Sequence, residues 1–135
     1  MNEKKFQYKK LVRDKLLEKF KKDEVIKYTS RKLEKDDHIL ELKKKIVEEA
    51  NEILDAKDRE ELIIELADIF EVLESFIKIE KISKQDLIDA KVKKQKLNGS
   101  FLDGLYIEDV TIHEKHHYLP YFKNKPEKYP EIFNN

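Results

Sequence analysis

Glu48-Glu49-Ala50-Asn51-Glu52 and Glu65-Leu66-Ala67-Asp68 sit inside the two most regular apolar periods of the chain. Around the first, Ile39, Leu42, Ile46, Ala50 and Ile53 recur at steps of three or four, which predicts a helix from Asp36 or Asp37 to about Ala56. Around the second, Leu62, Leu66, Ile69, Leu73 and Phe76 do the same. Asp58 followed by Glu61 has capping-box spacing and places the start of that helix. Each helix carries acids at i and i+3, Glu49 with Glu52 and Glu65 with Asp68, so each pair can converge on one ion. At about 100° per residue, Glu49 and Glu65 fall at the margin of their helix's apolar arc. In an antiparallel hairpin, Glu49 lies opposite Asp68 and Glu52 opposite Glu65, because both pairs are equidistant from a point between Asp58 and Arg59. Four carboxylates at the edge of a core are tolerable only with their pKa values raised or with a cation among them. All-oxygen ligation suits Mg²⁺ or Mn²⁺. The alternative for the same residues is a solvated acidic face.

Outward from this pair, the first 98 residues contain neither Gly nor Pro, and all 2 Gly and 3 Pro follow. Helix is therefore permitted over most of the chain. A short first helix is expected from Asp14 as N-cap, with Leu16, Leu17 and Phe20 on one side. Residues 25–35 show no period and read as a connection. A fourth helix is expected after Ser83, with Leu87, Ala90 and Leu97 as its stripe, ending at Asn98-Gly99. Asp103-Gly104 between Phe101-Leu102 and Leu105-Tyr106-Ile107 predicts a β-hairpin packed on the helices. The expected fold is an all-α bundle of about four helices, with this short C-terminal hairpin and an irregular aromatic tail wrapping a surface of this chain or of a partner. The expected division is a helical domain over 1–110 and an extension over 111–135.

Composition narrows the chemistry. The 135 residues hold 29 Lys and Arg against 29 Asp and Glu, and no Cys. A balanced charge argues against a protein held mainly by phosphate backbones, so no nucleic-acid partner is expected. Without Cys there is no disulfide, no thiolate zinc site and no cysteine nucleophile. No segment approaches a membrane span and the start lacks an apolar leader, which predicts a cytoplasmic protein.

The acids resemble the signature of the all-α nucleoside triphosphate pyrophosphohydrolase superfamily, the MazG-like or phosphoribosyl-ATP pyrophosphohydrolase-like proteins. Their pattern is Glu-Glu-x-x-Glu, a gap, then Glu-x-x-Asp, and Glu48, Glu49, Glu52, Glu65 and Asp68 fill it. Lys10-Leu11-Val12-Arg13-Asp14-Lys15 is similar to the opening of a small single-domain branch, and Asn98-Gly99-Ser100-Phe101 is more loosely similar to that branch's exit from its last helix. The resemblance implies Mg²⁺-dependent cleavage between the α and β phosphates of a nucleotide substrate, giving a monophosphate and pyrophosphate. It implies Glu49, Glu52, Glu65 and Asp68 as metal ligands, with Glu48 an accessory ligand or a group orienting water, so that Glu48 or Glu49 serves as the catalytic base. It also implies Arg13 and Lys15 near the substrate, although an ion pair with Asp14 explains them as well. Phosphates need further cations, and Lys94, beside the Leu87 to Leu97 stripe, could reach inward or stay solvated. The wide apolar arcs exceed what one small bundle can cover, so a homodimer or higher homo-oligomer is expected, as the resemblance also implies.

His113-Glu114-Lys115-His116-His117 formally matches His-Glu-x-x-His, but it follows β-prone Val110-Thr111-Ile112 and runs into Pro120. That motif requires a helix, so structural or partly exposed histidines are expected. A second function class stays open beside the enzyme: a non-catalytic helical interaction module, with the acidic pairs in salt bridges to lysines and the aromatic tail docking a partner.

Overall fold

A computed structural model describes residues 2–24 and 26–133. Met1, Val25 of the expected connection, and Asn134 and Asn135 at the end of the expected extension lie outside the described residues. Five helices run in the order α1 (Asp14–Lys22), α2 (Lys35–Asp55), α3 (Arg59–Ile79), α4 (Lys84–Asn98) and α5 (Leu119–Lys123). The chain divides into two compact units, Met1–Lys94 and Gln95–Asn135.

The first unit is organised by α2 and α3, the most extensively packed helix pair among the described residues. Only Ala56, Lys57 and Asp58 separate two helices of 21 residues each, so they must fold back antiparallel to touch along their length. Asp58 caps α3 by accepting from the Glu61 amide at 2.8 Å, and Glu61 reaches back to the Lys57 amide at 2.9 Å. The box thus satisfies two amides at the turn, one of them a residue earlier than the usual pattern. Among the described residues Leu42 is the buried apolar side chain, at 2 % exposure. Glu49, seven residues on and therefore on the same face, is buried beside it at 6 %.

α3 ends in a Schellman motif: the Ile82 amide bonds the Ile77 carbonyl at 3.0 Å, the Lys81 amide bonds the Lys78 carbonyl at 3.2 Å, and Lys81 takes φ +55°. A side chain with a Cβ is strained there. Lys81→Gly should therefore raise unfolding free energy by about 0.5–1 kcal/mol in urea; an unchanged or lower midpoint would mean the Lys81 side chain contributes something the backbone does not reveal.

At α1, Asp14 lies in the first turn and not at the cap, which is Arg13. Its carboxylate still favours the helix start through the dipole. Ser83 caps α4 by accepting from the Asp86 amide at 2.9 Å, and the helix ends at Asn98, where Gly99 takes φ +79° and donates to Gln95. The apolar residues of α4, Leu87, Ile88, Val92 and Leu97, remain largely exposed.

The expected β-hairpin is absent: no strand occurs among the described residues. Gly104 does take the left-handed conformation that Asp-Gly signals, at φ +64°. Phe101, Leu105 and Tyr106, however, are almost fully exposed. A turn signal is local, whereas strands need an opposing ladder and a covered face, and a lone hairpin has neither. Nor is the tail wholly irregular. Pro120 at the start of α5 loses no hydrogen bond there and its fixed φ suits a first turn. Tyr121, Phe122 and Tyr129 then cluster with ring centroids 4.9–5.6 Å apart, covering one another within the second unit.

Candidate metal centre

α2 supplies Glu49 and Glu52 and α3 supplies Glu65 and Asp68, and one ligand oxygen from each lies within 4.8 Å of all the others. The antiparallel packing of α2 on α3 brings the two i, i+3 pairs together. Glu49 is buried, and the other three are half-buried. Two carboxylate oxygens, Glu49 Oε2 and Glu65 Oε2, are covered and have no hydrogen-bond partner.

Around this core stand cations. Arg13 Nη2 donates to Asp68 Oδ1 at 2.8 Å, and Lys10 Nζ to Glu48 Oε1 at 2.9 Å. Lys45, one turn before the acids on α2, lies 3.2 Å from Glu48 Oε2 and 3.5 Å from Glu49 Oε1. Arg13, Lys15, Lys19, Lys45, Glu49 and Asp68 line a recess of about 270 Å³, together with Tyr8, Leu11, Val12 and Leu16. The structure thus brings Arg13 and Lys15 beside the acids. Lys94 is exposed on α4 and is not among the lining residues. Lys10, Lys19 and Lys45 are additions to the residues singled out from sequence. For Lys45 the signal was its spacing of three and four before Glu48 and Glu49. Lys10 opens the Lys10-Leu11-Val12-Arg13-Asp14-Lys15 stretch that carries the resemblance.

The electrostatics separate the acids into two kinds. Burial, and then the neighbouring Glu52 charge, push Glu49 above the usual carboxylate range. Hydrogen bonding with Glu52, assisted by burial, pushes Glu65 up. Glu48 is instead held low by its hydrogen bond to Lys10, against some desolvation. Glu49 and Glu65 therefore stabilise the metal-free fold while protonated, and that contribution is lost as pH rises through their raised values. Glu48 runs the other way, its contribution being lost as pH falls. In chelator, wild type should lose melting temperature relative to Glu65→Gln as pH rises above the usual carboxylate range. A difference that stays flat with pH would contradict this assignment.

The donor set fits a hard divalent cation. It is all oxygen, it gathers four carboxylates, and it leaves two covered oxygens that no protein group satisfies. The other titratable cluster does not fit a metal in the same way. His113 and His116 lie in turns outside any helix, each accepting at Nδ1, from the Lys115 amide at 3.2 Å and the Tyr118 amide at 3.1 Å. Among the described residues, only the four acids form a group with metal-ligand geometry.

An antiparallel helix pair with Glu-x-x-Glu facing Glu-x-x-Asp defines an all-α protein with a four-carboxylate site. A family model, phosphoribosyl-ATP pyrophosphohydrolase, matches residues 8–96. The chain belongs to that family, within the MazG-like all-α NTP pyrophosphatase superfamily, and membership indicates a nucleotide pyrophosphohydrolase. No curated protein and no solved structure matches it. No helix among the described residues is long and apolar enough to cross a membrane.

Proposed function

We propose that the protein is a Mg²⁺- or Mn²⁺-dependent pyrophosphohydrolase that cleaves the α–β phosphate bond of a nucleoside triphosphate, releasing a monophosphate and pyrophosphate, in a house-cleaning or nucleotide-pool role. The observation that carries this reading is the pair of covered, unpartnered oxygens, Glu49 Oε2 and Glu65 Oε2, inside a four-carboxylate cluster. A purely structural acidic face would answer its covered oxygens with cations, as Lys10 answers Glu48 and Arg13 answers Asp68 here. In this reading Glu49, Glu52, Glu65 and Asp68 hold the ion. When bound, the ion supplies positive charge to the phosphate oxygens and lowers the pKa of water. Glu48 or Glu49 takes the proton from the attacking water, and Arg13 and Lys15 hold phosphate charge. Lys94 joins them only if α4 or a second copy brings it near.

A panel of standard, modified and phosphoribosyl nucleotides, assayed separately for pyrophosphate and orthophosphate, tests the reaction. Pyrophosphate release is expected, and orthophosphate alone would place cleavage at the wrong bond. The homodimer is part of the same reading. It is supported by apolar side chains on α2 and α3 that one chain leaves open, among them Leu54, Ile63, Ile64 and Phe70. Sedimentation at micromolar concentration should give twice the 16.3 kDa chain mass or more; monomer alone would refute it.

A further inference from the structure

We propose that the recess between residues 8–19 and α2 is the pyrophosphate half of the substrate site, with Lys15, Lys19 and Lys45 gripping the two terminal phosphates. This rests on the pyrophosphohydrolase reading and assigns a direction to the substrate within it.

Charge accounting supports the placement. Of the four cations lining the recess, Arg13 is engaged with Asp68 and Lys45 with Glu48 and Glu49. Lys15 and Lys19 have no acid partner among the described residues, so the recess carries uncompensated positive charge on one wall. The two are four residues apart on α1 and project from one face about one turn apart, a spacing at which two ammonium groups can take successive phosphates. The same recess is lined by Glu49 and Asp68, two of the four acids of the metal centre. A polyanion held there by Lys15 and Lys19 therefore lies beside the acid cluster. Lys45 lines the recess and also pairs with Glu48 and Glu49.

The lining chemistry argues against the nucleoside end. Base recognition needs neutral donors and acceptors, whereas the lining side chains are cations, carboxylates and aliphatics, with Tyr8 as the one aromatic. The base and sugar accordingly lie outside this recess.

Product inhibition reads the direction. With Mg²⁺ present, pyrophosphate should compete with the nucleotide, and Lys19→Ala and Lys15→Ala/Lys19→Ala should raise the pyrophosphate Ki at least tenfold while leaving the monophosphate Ki within twofold. Lys19 is exposed, so the fold should survive, and Lys19→Arg should restore inhibition. If the monophosphate Ki moves instead, or if neither moves while the nucleotide still releases pyrophosphate, the direction is wrong and the proposed reaction stands. If no nucleotide is turned over, that reaction fails, and calorimetric titration of the full chain with magnesium pyrophosphate decides the recess separately. Binding weakened tenfold by Lys19→Ala supports it, and binding that is absent or indifferent to Lys19 overturns it.

Discussion

Glu49→Gln is expected to lower turnover about 10²- to 10⁴-fold with its helices intact, because one substitution removes both an ion ligand and a candidate base. The same variant should melt no lower than wild type in chelator. Glu49 is 6 % exposed and its charge is disfavoured by burial and by Glu52. A neutral amide of the same shape therefore relieves the metal-free fold while disabling the site. That combination separates the enzyme from an interaction module, which has no turnover to lose. Near-normal turnover in Glu49→Gln would remove Glu49 from the chemistry.

Divalent-ion loading should give the largest stability effect. An ion that binds only the folded chain adds about 2.7 kcal/mol at a hundred times its Kd, which for a domain of this size is roughly 10 °C in melting temperature. The increment should grow with pH, since binding requires Glu49 and Glu65 ionised and both are held above their usual range. Asp68→Asn should abolish most of the shift. It also removes the acceptor of Arg13, but that pair is exposed enough to contribute little on its own. A thermal shift of equal size in Asp68→Asn would place the ion elsewhere.

The parts of the molecule legible in the sequence are those fixed by short-range periodicity. The α2–α3 turn could be located because the Asp58 cap and the mirrored acid spacing both fall at Asp58, the last residue of the connection, and antiparallel packing then brings the four carboxylates together. The hairpin was misread because Asp103-Gly104 specifies only a backbone turn, which formed, and not the partner surface its flanks require. α5 was missed because Pro120 reads as a breaker unless it is known to begin a helix. In the site, the acids carried their own spacing signal. The Arg13–Asp68 and Lys10–Glu48 pairs span 55 and 38 residues, and no local pattern announces a contact of that separation. Lys45 is intermediate: its helical offset from Glu48 and Glu49 was visible, but its place in the recess depends on where residues 8–19 run.

The account turns on four carboxylates sharing one cation. A crystal of the full chain grown in millimolar Mn²⁺, with data collected at the manganese edge, tests this most directly. An anomalous peak bonded to oxygens of Glu49, Glu52, Glu65 and Asp68 is the expected result, with Arg13 drawn off Asp68. No peak at that position, with the four side chains turned separately to solvent, would contradict it.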